Sequence, residues 1–189
     1  MQARADAAEA TGARVLDAAV ELFTESPFDE VSLEQVANRS GVATRTVIRR
    51  FGSKEDLFGS AMRRAAEIMM AQRNEAPVGD IAGAVRNVIA HYEKWGENRL
   101  RLIAQEDRID VVRENVRGGR AFHRDWVERT FAPLLVGFAG AARQRRVAAL
   151  IALTDVFMWK LLRRDHGLSR AQTERTIVEL ITALQGENR

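Results

Sequence analysis

The chain has no cysteine among its 189 residues. That removes disulfide scaffolds, thiolate zinc sites, iron–sulfur clusters and cysteine nucleophiles. It has only 3 prolines, so little in it interrupts a helix. A long apolar run is also missing. The most apolar stretch, Val147 to Leu162, carries Asp155 and Lys160 and is shorter than the roughly 20 residues that cross a bilayer. No charged start followed by an apolar core reads as a signal peptide, so the expectation is a cytoplasmic protein without membrane contact. No segment alternates apolar and polar residues with the period of two that marks a half-buried strand. Glycine-rich phosphate loops and serine elbows are absent. His91, His123 and His166 are not set at metal-ligand spacing with each other or with glutamate, and no Glu-x-x-His motif occurs. The expectation is a protein that is not an enzyme, with no catalytic residues, no metal and no cofactor.

What is present is helical. The chain is 46% hydrophobic and 29% charged, a folding composition, and its length suits one or two domains. Apolar residues recur at helical spacing in Val15, Ala19, Leu22 and Phe23. The same period runs through Ile81, Val85, Val88, Ile89 and Tyr92, and through Phe131, Leu134, Leu135 and Phe138. It returns in Ile177, Leu180, Ile181 and Leu184. Ser32 with Gln35, Ser53 with Asp56, and Ser169 with Gln172 have the spacing of helix-opening caps, and Asp80 follows Pro77 and Gly79 as another. Gly41, Gly52, Gly96 and Gly167 read as stops. These signals predict an all-α fold of about nine helices, at 8–25, 33–39, 44–51, 54–75, 80–95, 98–107, 110–137, 144–165 and 170–185. Gly118–Gly119 is expected to lie within the seventh without breaking it.

Charge is unevenly placed. Residues 1–38 are net acidic, whereas 39–54 hold Arg39, Arg45, Arg49, Arg50 and Lys54 and no acid. That block lies inside VSLEQVANRSGVATRTVIRRFGSKEDL, Val31 to Leu57: short helix, glycine turn, second short helix, start of a third. Val36, Ala37, Val47 and Phe51 form the buried sides, and Val42 plugs the turn. Thr44, Arg45, Ile48 and Arg49 are left facing out. Two arginines four apart share a helix face, and arginine pairs with guanine through two parallel hydrogen bonds in the DNA major groove. Lys54, in the first turn of the next helix, suits a phosphate. The alternative for this block is a solvated basic face.

Residues 11–58, and above all LFTESPFDEVSLEQVANRSGVATRTVIRRFGSKEDLF, closely resemble the N-terminal domain of TetR/AcrR-family transcriptional regulators. The segment DVFMWKLLRRDHGLSRAQTE is similar to the last two helices of some members. The resemblance implies a three-helix DNA-binding head over residues 1–58 and a helical effector-binding and dimerisation domain over 59–189. It implies a homodimer on a palindromic double-stranded DNA operator, with a small-molecule effector. It places Thr44, Arg45, Thr46 and Arg49 on the DNA-facing helix and Lys54 on a phosphate-contacting lysine. Ile48 stands where the family usually has tyrosine, and Arg50 where an aromatic residue or histidine is common. Both join the expected DNA-contacting set.

Past residue 90 the aromatic residues invite a pocket. Tyr92, Trp95, Phe122, His123, Trp126 and Phe131 are the candidate ligand lining, with His91 and Glu106 as further polar contacts. Few polar groups among five aromatics favour a small lipophilic effector. Ordinary core packing is the alternative. The helix expected at 144–165 is apolar nearly all round and needs covering all round. With the stripe of the last helix it gives either burial of both helices within one monomer or, as the resemblance implies, a dimer interface of Leu150, Phe157, Leu161, Ile177, Ile181 and Leu184. The expected function is a homodimeric repressor released from DNA by that effector. A DNA-binding protein without an effector and a helical small-molecule enzyme are the other readings.

Overall fold

The structure, a computed structural model, describes residues 2–186, with side chains from residue 6 to 185. The helices are α1 (Gln2–Glu25), α2 (Leu33–Ser40), α3 (Thr44–Phe51), α4 (Lys54–Asn74), α5 (Ile81–Ile103), α6 (Asp110–Thr130), α7 (Gly140–Leu153), α8 (Val156–Lys160) and α9 (Arg170–Gly186). Short 3-10 turns lie at Phe28–Glu30 and Ala132–Leu135, and a π turn at Leu161–Asp165. Among the described residues there is no strand, and no helix is long and apolar enough to cross a membrane. The fold is all-α, as the sequence predicts.

The capping signals act where they were expected. Ser32 and Gln35 close a reciprocal capping box at the start of α2, which satisfies two amide groups the helix itself cannot. The Ser53 hydroxyl accepts from the Asp56 amide at 3.0 Å, Asp80 accepts from Gly83 at 2.8 Å, and Ser169 accepts from Gln172 at 3.2 Å. Gly41 ends α2 in the left-handed region at φ 69°, a conformation a side chain disfavours.

Several boundaries differ from the expected ones. Helix α5 runs through Gly96, and the helices expected at 80–95 and 98–107 are one up to Ile103. Gly96 is a place of close approach: a Cβ there would lie 2.6 Å from the Trp159 ring. Helix α6 passes Gly118–Gly119 unbroken but ends at Thr130, seven residues early, where Pro133 turns the chain into a 3-10 segment. The helix expected at 144–165 begins at Gly140 and breaks after Leu153. There Thr154 turns its hydroxyl back to the Leu150 carbonyl at 2.7 Å, and Asp155 caps a new helix through the Phe157 amide at 2.9 Å. Both are side-chain bonds that compete with a continuing helix.

The described residues form two compact units. The first reaches to Ile68 and takes in Arg101–Val116. Its core holds Phe23, Phe28 and Phe58, with Phe58 edge-on to the other two at 5.0 and 5.2 Å. Leu102, Val112 and Val116 belong to the same core. Gln105, buried, accepts from the Phe28 amide at 2.9 Å, and Arg101 donates to the Thr24 carbonyl. The head core is therefore completed by chain far away in sequence. The second unit, Met69–Leu100 with Arg117 onward, buries Trp126, Trp159, Phe131, Leu150, Ile177 and Ile181.

Candidate functional site

In the first unit, Val47 of α3 is fully buried and Phe51 half-buried, so these two residues seat the helix on the core. The opposite face is Arg45, Ile48 and Arg49, all exposed, with Thr44 and Thr46 half-exposed. Neither arginine has a hydrogen-bond or ion-pair partner among the described residues, which leaves two guanidinium groups open to an incoming acceptor. Ile48, 49% exposed between them, is an apolar residue left in water. The structure thus brings the expected reading face together on one short helix.

Two expected members of that set are turned elsewhere. Arg50 donates to the Ala8 carbonyl at 2.9 Å and lies across α1 where Gly12 has no side chain; a Cβ on Gly12 would sit 2.2 Å from the guanidinium. Lys54 points into its own unit. Its ammonium donates to the Phe28 carbonyl at 2.9 Å and the Val31 carbonyl at 3.0 Å, and stands 4.3 Å from the Phe28 ring centre. The turn between α1 and α2 is thereby held from one side by Lys54 and from the other by Gln105.

The second unit holds a buried polar and aromatic group. Trp126 is fully buried and donates its indole N–H to the Arg73 carbonyl at 2.8 Å. The Arg73 guanidinium lies 3.9 Å from the Trp126 ring centre. It donates to His123 Nδ1 across 3.1 Å, since arginine has no acceptor. The His123 Nε2–H therefore faces Thr154 Oγ1 at 3.2 Å, and that hydroxyl donates to the Leu150 carbonyl at 2.7 Å. Tyr92 donates to the Thr154 carbonyl at 3.1 Å. Burial, with Arg73 nearby, pushes His123 down to about 3, and the same causes push His91 down to about 3, so both imidazoles are neutral at pH 7.

Of the expected ligand lining, His123 stacks with Trp126 and Phe131 is edge-on to it at 5.7 Å. Tyr92 joins them through Thr154 and Arg73. Trp95 is half-buried against His91 at 4.8 Å, and Phe122 is half-buried. Glu106 belongs to the first unit and is not part of this group. Sequence reading passed over Arg73. Its signal was there: it continues the stripe of Ala61, Ala65 and Met69 at intervals of four, a charge on an apolar face.

The expected dimer residues divide. Leu150, Ile177 and Ile181 are covered within the chain itself, because α7 and α9 pack on their own unit; they are core and cannot meet a partner. Leu184 is half-buried. Phe157 at 54% and Leu161 at 45% are exposed and lie one helical turn apart, and Leu180 on α9 is exposed as well.

Residues 15–61, the first unit's core and its exposed arginine face, match the model of the family described as "Bacterial regulatory proteins, tetR family". Over these residues the chain is similar to the TetR family. Among curated proteins, the chain is 33% identical over 92 residues to the HTH-type transcriptional regulator YezE of Bacillus subtilis (strain 168). That match covers 47% of this chain and 45% of YezE, less than half of the relative's length. Solved structures share its fold. A transcriptional regulator from Rhodococcus sp. Rha1 aligns with a TM-score of 0.70 at 19% identity, over 92% of this chain and 95% of that one. A tetR-family regulator from Streptomyces coelicolor aligns with 0.69 at 20%, over 90% and 80%. FadR from Bacillus subtilis, in complex with stearoyl-CoA, aligns with 0.60 at 18%, over 89% and 96%. Residues 15–61 thus carry the family match, and the fold is one found in solved structures of transcriptional regulators.

Proposed function

We propose that this protein is a DNA-binding transcriptional repressor of the TetR kind that works as a homodimer in the cytoplasm and is released from a palindromic operator by a small molecule. The observation that carries the reading is the outer face of α3. Arg45 and Arg49 stand exposed without partners on a short helix whose other side is anchored by Val47. A helix of that kind enters the major groove with its first turns against base edges. Thr44, Thr46 and Ile48 share the face, where hydroxyls suit phosphates or bases and Ile48 suits a thymine methyl. In a two-fold dimer the paired helices read half-sites about 34–36 Å apart. The exposed Phe157, Leu161 and Leu180 support a self-complementary interface.

The likeness of fold to a regulator bound to stearoyl-CoA supports the second unit as the effector unit. A ligand that prefers the form poorly suited to DNA must weaken DNA binding by the same coupling factor. Helices α4, α5 and α6 each carry residues of both units and are covalent routes for that coupling.

Selection of bound sequences from random DNA tests the reading. A palindromic consensus is expected. Arg45→Ala and Arg49→Ala should each cost about 1–3 kcal/mol and relax preference at separate base pairs. An unchanged consensus in both variants would remove α3 as the reading helix.

A further inference from the structure

Arg73 is 3% exposed, and a guanidinium stays protonated wherever it is placed. A buried charge is tolerated when an opposite charge or enough hydrogen bonds meet it. This protein does so elsewhere. Arg163 forks onto both oxygens of Glu93 at 2.7 and 2.9 Å. Arg163 is half-buried, whereas Arg146 is buried and donates to the Leu134 and Leu184 carbonyls. Arg73 has neither arrangement. It makes no ion pair among the described residues, its acceptor is a neutral imidazole, and its Nε is buried without a partner. Arg129 adds charge of the same sign. Asp155, which acts on Tyr92, is engaged as the cap of α8. A second orphan lies on α6. Thr130, fully buried with an unpartnered hydroxyl, is one turn beyond Trp126 on the same face of α6.

We propose that Arg73 is the anion-recognising residue of the second unit's ligand site, and that the ligand is a monocarboxylate on a flat or extended apolar body. The proposal rests on reading this unit as the effector unit, and it names the effector's chemistry. The carboxylate oxygens meet the Nε and Nη edge of the guanidinium, a planar fork that matches a carboxylate with two parallel hydrogen bonds. The Thr130 hydroxyl supplies a further polar contact. Trp126, Tyr92 and Phe131 receive the apolar body. One guanidinium among neutral imidazoles balances a single negative charge, which selects a carboxylate over a phosphate dianion.

The test compares acids with their neutral amides on the full-length protein at fixed ionic strength. The probes are benzoate and benzamide, 1-naphthoate and 1-naphthamide, decanoate and decanamide. Binding is read by tryptophan fluorescence and by the shift in thermal midpoint. At least one acid should bind tenfold or more tightly than its amide, and Arg73→Gln should abolish that preference. If Arg73→Gln does not fold, Arg73→Lys, which keeps the charge but not the fork, should reduce the preference; the acid–amide comparison on the unaltered protein needs no variant. Equal binding of acids and amides overturns the anion site and leaves the effector unit standing. Binding of no probe overturns the inference too, and DNA selection then decides the regulator reading separately. An acid preference that persists in Arg73→Gln places the anion elsewhere and also overturns it.

Discussion

Lys54 shows how a side chain is drawn away from the surface its position suggests. Its place in the first turn of α4 suits a phosphate, yet its ammonium closes on two carbonyls of the turn between α1 and α2 and on the Phe28 ring. Charge-assisted hydrogen bonds and a ring contact of this kind are together worth about 1–3 kcal/mol. Lys54→Met should therefore lower the stability of the protein by about that amount, measured by urea unfolding. It should leave the salt dependence of DNA binding nearly unchanged. A salt slope reduced by about one unit with full stability would instead assign Lys54 to a phosphate. Arg50 is similar, held on α1 by the Ala8 carbonyl, and leaves Arg45 and Arg49 as the open pair.

At the scale of the helix, the glycines separate into those that serve the packing and those that do not. Gly96 in α5 lies against the fully buried Trp159, whose indole donates to Glu93 at 2.8 Å and cannot easily move. Gly118 in α6 has nothing within 4 Å of where a Cβ would be. Gly96→Ala should cost about 1–3 kcal/mol despite alanine's better helix propensity, because the core is overpacked. Gly118→Ala should gain up to about 1 kcal/mol. Thermal unfolding of the two variants side by side checks the sign of each; two gains would show that the Trp159 contact gives way freely.

For the molecule as a whole, two properties follow from what is buried and what is not. His123 is neutral in the fold because burial and Arg73 press it down to about 3, whereas in the unfolded chain it takes a proton near 6.5. Below pH 6.5 the unfolded state binds the extra proton, so stability is full above 6.5 and falls as pH drops toward 3. The slope for His123 is up to about 1.4 kcal/mol per pH unit. Glu93, held at about 2 by Arg163, adds a further loss between about 4.5 and 2, the range in which only the unfolded carboxylate is protonated. His91, held equally low, adds a loss of the same size as His123 over the same range, so urea unfolding at pH 7.5 and 5.0 should show the difference and His123→Gln should remove about half of it. Assembly is the second property. Phe157→Asp with Leu161→Asp changes exposed residues, so the chain should fold and sediment as a monomer, and the unaltered protein is expected to sediment as a dimer. Ile181→Asp should instead unfold the chain, since Ile181 is wholly covered within it.

The local chemistry was legible from the residues in order. Caps at Ser32, Ser53, Asp80 and Ser169, the turn at Gly41, and the outward Arg45 and Arg49 all depend on neighbours within a turn or two, and all stand as the spacing required. Burial against distant chain was not legible. Periodicity shows that Ile177 and Ile181 lie on an apolar stripe, but not whether their own unit or a second copy covers it. A glycine reads alike whether it ends a helix, as at Gly41, or admits an indole, as at Gly96. A basic residue at the start of α4 reads as open to solvent until the Phe28 carbonyl is placed beside it. Arg73 is the clearest case. The sequence determined that a charge sits on an apolar stripe; only the tertiary structure decided that no acid among the described residues meets it, because its neighbours come from α5 and α6, far along the chain.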